Sequence, residues 1–180
     1  LISRLGDDQI WTRRLARVLG ASVALNQHLG VHPEEVDLLA GEIGRRDPAA
    51  LRAELLDAIR AAASATPVAN PDRSNDLRRA YRRALLRIAA RDLTAEDAMG
   101  VLPDIAAELS DLADATVEGA LALARGEVDG WEVARLGVIA LGKTGARELN
   151  YVSDVDLLYL AEPALDDESD PVCSTDKAIV

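Results

Sequence analysis

The stretch GKTGARELNYVSDVDL, residues 142–157, decides the fold prediction, because it joins a glycine turn to two carboxylates beside an apolar strand. Asp154 and Asp156 are separated by one residue and lie at the predicted start of a strand over 155–160. Alternate residues of a strand point to the same face, so we expect both carboxylates to reach the same metal ions. Mg²⁺ prefers oxygen ligands from one or two carboxylates together with substrate phosphates. The spacing therefore predicts a magnesium site that supports in-line displacement at phosphorus.

The glycines upstream of these carboxylates predict a phosphate pocket. Gly142 and Gly145 carry no Cβ, so the backbone around them can approach a phosphate closely. A helical turn predicted over 147–151 would direct its first N–H groups at the same negative charge. Lys143 lies inside the glycine turn, where its ammonium group either offsets phosphate charge or is simply solvated.

The order of the predicted elements indicates an α+β fold. A branched apolar run, RLGVIAL at 135–141, predicts a buried strand immediately before the glycine turn. Upstream of residue 126, the apolar residues recur at helical spacing. We therefore expect a mostly α-helical amino-terminal domain over 1–128, followed by the first part of a mixed α/β domain over 129–180.

Breaks in the helical spacing predict where the first helices end. One helix is expected to continue as far as Val-His-Pro at 31–33, where the pattern stops. Pro33 suits the first turn of a short helix through Ile43, and Pro48 opens another helix. The stretch SATPVANPDRS, residues 64–74, is the clearest predicted loop.

The helices after that loop have their own start signals. A strong amphipathic helix is predicted over 76–93, and TAED from Thr94 is a start signal for the next helical stretch. Pro103 is expected to open a long helix over 104–124. The 76–93 helix carries a basic band, which we expect to pair with the protein's own carboxylates or to dock on an acidic or phosphate-bearing partner. The band consists of Arg78, Arg79, Arg82, Arg83 and Arg87.

The composition of the 180 residues excludes several classes of protein. Apolar residues make up 49% and charged residues 28%, which is an ordinary globular balance. The net charge of −11 argues against a nucleic-acid surface over the whole molecule, and no apolar run is long enough for a membrane span. The single cysteine, Cys173, excludes an internal disulfide and fits a reducing cytoplasm. The absence of an initiator Met and the apolar end KAIV lead us to expect a fragment of a longer chain.

Two other groups of residues carry patterns associated with nucleotide or metal binding. Residues 137–144, GVIALGKT, match the P-loop pattern G-x-x-x-x-G-K-[ST]. A P-loop needs an exposed loop between its glycines, whereas Val, Ile, Ala and Leu favour a strand there. His28 and His32 are four residues apart, but Pro33 interrupts a helix and we expect no third ligand nearby, so a metal role is not expected. The open alternatives are a P-loop NTPase and a non-catalytic helical interaction module.

The motif at 142–157 resembles the signature of the glutamine synthetase adenylyltransferase family, whose pattern is close to GKLGGRELNxxSDxDL. The resemblance extends upstream, because LGASVALNQHLGVHPEEVDLL at 19–39 is similar to the family's amino-terminal helical segment. LRRAYRRALLRIAARDL at 77–93 is similar to its arginine-rich helix before the catalytic core. The wording RELNYVSD at 147–154 resembles the amino-terminal, adenylyl-removing half of this bifunctional family.

This resemblance implies both a fold and a function. The family carries nucleotidyltransferase domains with a polymerase-β-like fold. One domain attaches AMP to a tyrosine of glutamine synthetase, and the other removes it by phosphorolysis. The resemblance therefore implies Mg²⁺ as the cofactor, ATP or ADP as nucleotide, glutamine synthetase as the partner, and a PII-type regulatory protein as a possible second partner. Arg87 and Asp92 also resemble family positions, which implies a contact between the helical and catalytic parts.

The resemblance also implies roles for individual residues. By position in the motif, the metal ligands would be Asp154 and Asp156, the phosphate pocket would be lined by Gly142, Gly145 and Ser153, and Lys143 would lie beside it. Thr144 and Ala146 depart from the pattern, since the family has Leu and Gly there. The family's third carboxylate lies on a later strand, so we expect these 180 residues to be inactive on their own.

Overall fold

The computed structural model describes residues 7–65 and 73–179, and within them it is mostly helical with one small sheet. The α-helices and strands that we number are, in chain order, α1 (Gln9–Ala21), α2 (Val23–Val31), α3 (Pro48–Ala65), α4 (Arg73–Thr94), α5 (Ala98–Arg125), β1 (Ala134–Ala140), α6 (Gly142–Gly145), β2 (Leu157–Pro163) and α7 (Thr175–Ile179). Short 3-10 helices cover Pro33–Leu39 and Trp131–Val133. This content agrees with the α+β class. Across the described ranges, no helix has both the length and the apolar character needed to span a membrane.

The first predicted helix is two helices, because Ser22 separates α1 from α2. The Ser22 N–H donates to the Val18 carbonyl at 3.1 Å, while the Ser22 hydroxyl accepts from the Leu25 N–H at 3.2 Å. A serine side chain that caps a new helix competes with continuation of the old one. The prediction of a helix from Pro33 to Ile43 is also wrong in type and length, because the structure has a 3-10 helix that begins at Pro33 and ends at Leu39.

The prediction that Pro103 begins a helix is wrong. Helix α5 begins at Ala98, and its N-cap is Asp97, whose carboxylate accepts from the Gly100 N–H at 2.9 Å. Thr94 is not the start signal either, because its hydroxyl donates back to the Ala90 carbonyl at the end of α4. A proline in the second turn removes one backbone N–H and is outweighed by the packing of the rest of this long helix. The predicted loop over 64–74 lies largely outside the described residues.

Two adjoining apolar clusters form the core of the helical part. Leu51 and Leu55 of α3, Ile88 of α4, and Leu112 of α5 pack in the first cluster with at most 1% of each side chain exposed. Trp11 and Leu39 belong to the second cluster, in which the Trp11 indole also donates to the Val36 carbonyl at 2.8 Å. With no Phe in the chain, aliphatic side chains provide most of the buried area.

Helix α5 carries three carboxylates on one face, the half-buried Asp104 and the buried Glu108 and Asp111, which we call the acidic stripe. Spacings of four and three residues place them on one face of the helix. The side chains of Glu108 and Asp111 are each 2% exposed. Arg91 of α4 pairs with both Asp104 and Glu108, and Arg45 pairs with Asp104 at 2.5 Å and with Asp111 at 3.2 Å. Buried carboxylates are tolerated only when they are paired and hydrogen-bonded in this way.

The sheet is a two-stranded antiparallel pair that follows α5. Gly137 pairs with Leu160 and Ala140 with Leu157 in the register. The Arg125 guanidinium lies 4.8 Å from the Trp131 ring centre and so links the end of α5 to the turn before β1. Helix α5 therefore contacts both the helical core and the residues around the sheet.

We expect Glu108→Ala to lower the free energy of unfolding by about 3 kcal/mol, because Arg91 would lose a buried partner. Glu118→Ala is the matched control, since Glu118 lies on the same helix and pairs with Arg52 at the surface. Its loss should cost at most about 1 kcal/mol. Urea denaturation of both variants measures the difference, and equal losses would contradict a special role for the buried carboxylate.

The acidic stripe should also make stability depend on pH. The hydrogen bond from Arg91 is the main reason that the pKa of Asp104 lies below its ordinary value of 3.8. A depressed folded-state pKa stabilises the protein above the unfolded value and loses this effect as the pH falls through the folded value. The free energy of unfolding should therefore fall less steeply from about pH 5 to about pH 3 in Asp104→Asn than in the wild type. Identical pH profiles in urea titrations would refute this.

Candidate metal and nucleotide site

The glycine turn brings Gly142 against Asp156. Gly142 begins α6 directly after β1 and has a φ of +54°, a conformation that side chains with a Cβ disfavour. A Cβ built on Gly142 would lie 2.8 Å from Asp156 Oδ2. The Leu141 N–H donates to the Asp156 carbonyl at 2.9 Å, which extends the strand pairing by one residue. The chain therefore needs glycine at 142 both for the turn and for the carboxylate.

The second carboxylate lies two residues earlier. Asp154 and Asp156 precede β2, which begins at Leu157 and not at Val155 as predicted. Both carboxylates are exposed, and within the described residues neither has a hydrogen bond or an ion pair through its side chain. Lys143 makes no ion pair with either carboxylate, and its ammonium group donates to Ser153 Oγ at 3.3 Å. Two carboxylates left free of protein cations fit the donor set of a Mg²⁺ site.

The fold also requires glycine at position 145, for a different structural reason. A Cβ built there would collide with the carbonyl oxygen of Ala140, the last residue of β1. Gly145 therefore permits the turn to fold back on the strand, and its expected place in a phosphate pocket stays a prediction.

The predicted helical turn over 147–151 is wrong. The turn occupies Gly142–Gly145 instead, and residues 148–156 form neither helix nor strand. The N–H groups of Arg147 and Glu148 donate to the carbonyls of Thr144 and Lys143, so they are unavailable to a phosphate. The first N–H groups of a helix have no hydrogen-bond partner within the helix. In α6 these groups lie at the end that approaches Asp156. The phosphate-facing N–H groups are therefore expected at 142–144.

Residues 147–151 dock on the helices through alternate side chains. Arg147 pairs with Asp111 of α5 at 2.6 Å, and Tyr151 donates to Asp92 of α4 at 2.9 Å. Between them, Leu149 is 7% exposed and belongs to the core cluster of α3, α4 and α5. The expected contact through Asp92 is thus present. The sequence analysis missed this role, although alternate large side chains in RELNY are the signal that could have indicated it.

Arg87 does not make the contact that its position implied. Its Nε is buried without a hydrogen-bond partner among the described residues, and burial lowers its pKa. Within the basic band, Arg79 pairs with Glu34 at 2.6 Å and Glu35 at 2.7 Å, as the internal-pairing alternative predicts. Arg83 resembles Arg87 in having a buried, unpartnered Nε. The band is therefore only partly neutralised by the protein itself.

The histidines and the P-loop pattern both have structural roles within the fold. His28 is buried and lies 2.6 Å from a Glu35 oxygen, so it belongs to a charged network in the core. The expectation that no third ligand is near His32 is wrong, because Glu34 and Glu35 lie close to it. Both carboxylates already pair with an arginine, however. The P-loop alternative is wrong, because residues 137–140 form paired strand where a phosphate loop would have to be.

Comparison with known proteins assigns the chain to a family. The family model for glutamate-ammonia ligase adenylyltransferase matches residues 12–177, which includes most of α1, all of α2 to α6, the sheet, and both Asp154 and Asp156. The chain belongs to this adenylyltransferase family. The resemblance stated from residues 142–157 is therefore confirmed. Thr144 fits this assignment, since its side chain is buried and its hydroxyl has no partner in the described structure, as expected where the family pattern has Leu.

Curated members of the adenylyltransferase family are similar over most of the chain. The bifunctional glutamine synthetase adenylyltransferase/adenylyl-removing enzyme of Bifidobacterium longum subsp. infantis is 49% identical over 162 residues, or 84% of this chain. The proteins of the same description from Cutibacterium acnes and Leifsonia xyli subsp. xyli are 45% and 37% identical, over 87% and 92% of this chain. The chain spans only 15% to 18% of the length of these relatives. No solved structure matches it significantly.

We expect Gly142→Ala to lower the free energy of unfolding by about 1–2 kcal/mol, because alanine is strained at a positive φ and its Cβ would press on Asp156. Gly44→Ala is the matched control. No atom lies within 4 Å of a Cβ built on Gly44, and its φ is not in the left-handed region. That substitution should be neutral or slightly stabilising. Thermal or urea unfolding compares the two, and an unaffected Gly142 variant would contradict the close approach.

Proposed function

We propose that this chain is part of a Mg²⁺-dependent nucleotidyltransferase that adds AMP to a tyrosine of glutamine synthetase and removes it by phosphorolysis, and so controls nitrogen assimilation. The family assignment and the names of the relatives support the proposal. The observation that carries it is the approach of Gly142 to Asp156, which sets an unneutralised carboxylate beside a glycine turn.

The proposed roles follow from the chemistry of each group. Asp154 and Asp156 would hold Mg²⁺, which when bound neutralises charge that develops on the transferring phosphoryl group. Gly142 keeps the space in front of Asp156 free of a side chain. Lys143 and Ser153, joined by a hydrogen bond, would present a positive charge and a hydroxyl next to the carboxylates. ATP or ADP would be the nucleotide substrate or product.

We propose that the chain belongs to the adenylyl-removing half. In that direction an oxygen of inorganic phosphate attacks the phosphorus of adenylyl-tyrosine. The bond from phosphorus to the tyrosine oxygen breaks, so that ADP and the free tyrosine hydroxyl are formed. The wording of residues 147–154, RELNYVSD, supports this half over the AMP-attaching half.

The wider assignments are proposals of the same kind. We propose a helical domain over 1–128 and the first part of a polymerase-β-like nucleotidyltransferase domain over 129–180, in a protein of the cytoplasm. Its partners would be glutamine synthetase and a PII-type regulatory protein. The family pattern requires a third carboxylate on a later strand, so residues 1–180 by themselves should be inactive.

The test replaces each carboxylate in the full-length protein. We expect Asp154→Asn and Asp156→Asn each to reduce phosphate-dependent removal of AMP from adenylylated glutamine synthetase by about 100-fold or more, since loss of a metal ligand removes several kcal/mol of transition-state stabilisation. Attachment of AMP should persist if the chain belongs to the removing half. Release of ADP from adenylylated glutamine synthetase measures the first reaction.

Asp167→Asn is the matched control, because Asp167 is an exposed aspartate in the loop between β2 and α7. It should remove AMP at the wild-type rate. Wild-type removal in either Asp154 or Asp156 variant would overturn the assignment of these ligands, and loss of attachment alone would place the chain in the other half.

A further inference from the structure

The carboxylate segment has no helix or long strand of its own to hold it. Asp154 and Asp156 lie in the irregular stretch between α6 and β2, and their side chains make no contact that fixes them among the described residues. Metal ligands nevertheless have to be held in place by surrounding groups that orient them. The support for this segment must therefore come from its neighbours in the chain.

The neighbouring residues that are held in place are those that contact helices α4 and α5. Arg147 is held in the left-handed region, with a φ of +61°, and its guanidinium pairs with Asp111 Oδ1 at 2.6 Å. Asp111 is 2% exposed at its side chain, and Arg45 binds its other oxygen. An arginine seldom adopts such a backbone conformation unless its surroundings determine it. The end of α6 determines it here, because the N–H groups of Arg147 and Glu148 bond back to the carbonyls of Thr144 and Lys143. That turn directs the Arg147 side chain, which the buried carboxylate then holds.

Two further contacts continue the attachment towards the carboxylates. The Leu149 N–H donates to the hydroxyl of Ser110 on α5 at 3.4 Å. The Tyr151 hydroxyl donates to Asp92, and its pKa is raised, first by burial and then by that hydrogen bond. The hydroxyl therefore remains protonated and keeps donating across the physiological pH range. Three successive alternate residues are thus anchored to α4 and α5.

Asn150 transmits this anchoring to the residue before Asp154. Its side-chain oxygen accepts from the Val152 N–H at 3.1 Å and from the Ser153 hydroxyl at 2.8 Å. Ser153 in turn accepts from Lys143 of the glycine turn. A continuous set of contacts therefore joins Asp111 to the start of the carboxylate pair.

We infer that Arg147 is a positioning residue, which through its pair with Asp111 holds the segment of Asp154 and Asp156 against the glycine turn. Helix α5 acts as the rigid support, because the same helix is fixed to α3 and α4 by the core and the acidic stripe. Arg147 itself faces the helices and contacts neither carboxylate. This inference rests on the proposed function for its catalytic consequence, but its structural part can be measured separately.

The test compares Arg147→Gln with Arg52→Gln in the full-length protein. Both substitutions remove an arginine that pairs with a carboxylate of α5, but Arg52 reaches Glu118 from α3. In Arg147→Gln we expect amide hydrogen exchange over 149–156 to accelerate about 10-fold. The Mg²⁺ concentration for half-maximal AMP removal should rise about 10-fold, as is typical when the group that orients a metal ligand is lost. The KM for adenylylated glutamine synthetase should stay within about twofold, and Arg52→Gln should change neither readout.

Rescue separates positioning from general stability. Arg147→Lys should restore part of the Mg²⁺ response, since an ammonium group can still pair with Asp111. Adding Asp111→Asn to Arg147→Gln should change the Mg²⁺ response little further, because the contact that joins Asp111 to the segment is already lost and the other partner of Asp111, Arg45, belongs to the helical part.

Two results would overturn the inference. One is unchanged exchange over 149–156 in Arg147→Gln, and the other is faster exchange with an unaltered Mg²⁺ requirement, which would make the contact purely structural. A wild-type protein without AMP transfer would instead refute the proposed function. Exchange over 149–156 would then still decide whether Arg147 holds the segment.

Discussion

The burial of two carboxylates, Glu108 and Asp111, on one face of α5 is the constraint on which the rest of the structure depends. These two side chains cannot lie in the interior unless cations and N–H groups reach them, and the half-buried Asp104 shares their cations. The loop before α3 supplies the side chain of Arg45 and the N–H of Arg46, and α4 supplies Arg91. Since these donors come from different parts of the chain, their convergence sets how the helices pack around α5.

The same constraint extends to the glycine turn. Asp111 has one oxygen occupied from within the helical part and the other by Arg147, from the segment that leads to the carboxylate pair. A buried acid that needs two cations thus joins two regions that are distant in sequence. The proposed active site is attached to the helices by charge at Arg147, by apolar packing at Leu149 and by a hydrogen bond at Tyr151. These contacts differ in kind, so no single change in solvent weakens all of them equally.

Local patterns were sufficient for much of the fold but not for the helix ends. The strand before the glycine turn and the helix of α4 follow from periodicity, and the structure places the strand within one residue and the helix within three residues of the predicted bounds. The break at Ser22 and the continuous helix through Pro103 do not follow from periodicity. At each position the chain can either end the helix or continue it, and tertiary packing decides between the two. The free energy of a serine cap or of one lost N–H bond is small compared with that of the packing.

Part of the candidate site could likewise be predicted from the sequence, and part of it could not. Gly142, Asp154 and Asp156 could be selected from sequence, because residue type and spacing carry the chemistry. The close approach of Gly142 to Asp156 has no sequence signature, since a strand pairing that extends by one residue creates it. The docking of Arg147 on Asp111 was equally hidden, because its partner lies 36 residues earlier and an arginine next to a glutamate resembles an ordinary surface pair.

The alternation of the docked segment limits how the chain can change in length. Arg147, Leu149 and Tyr151 reach the helices because a single residue separates each from the next docked position. An insertion or deletion of one residue between Gly145 and Tyr151 would turn the docked side chains to solvent and bring Glu148 and Asn150 against a buried carboxylate and an apolar core. Variation in length is therefore expected to accumulate in the acidic loop after β2, while the spacing from the glycine turn to the carboxylates stays constant.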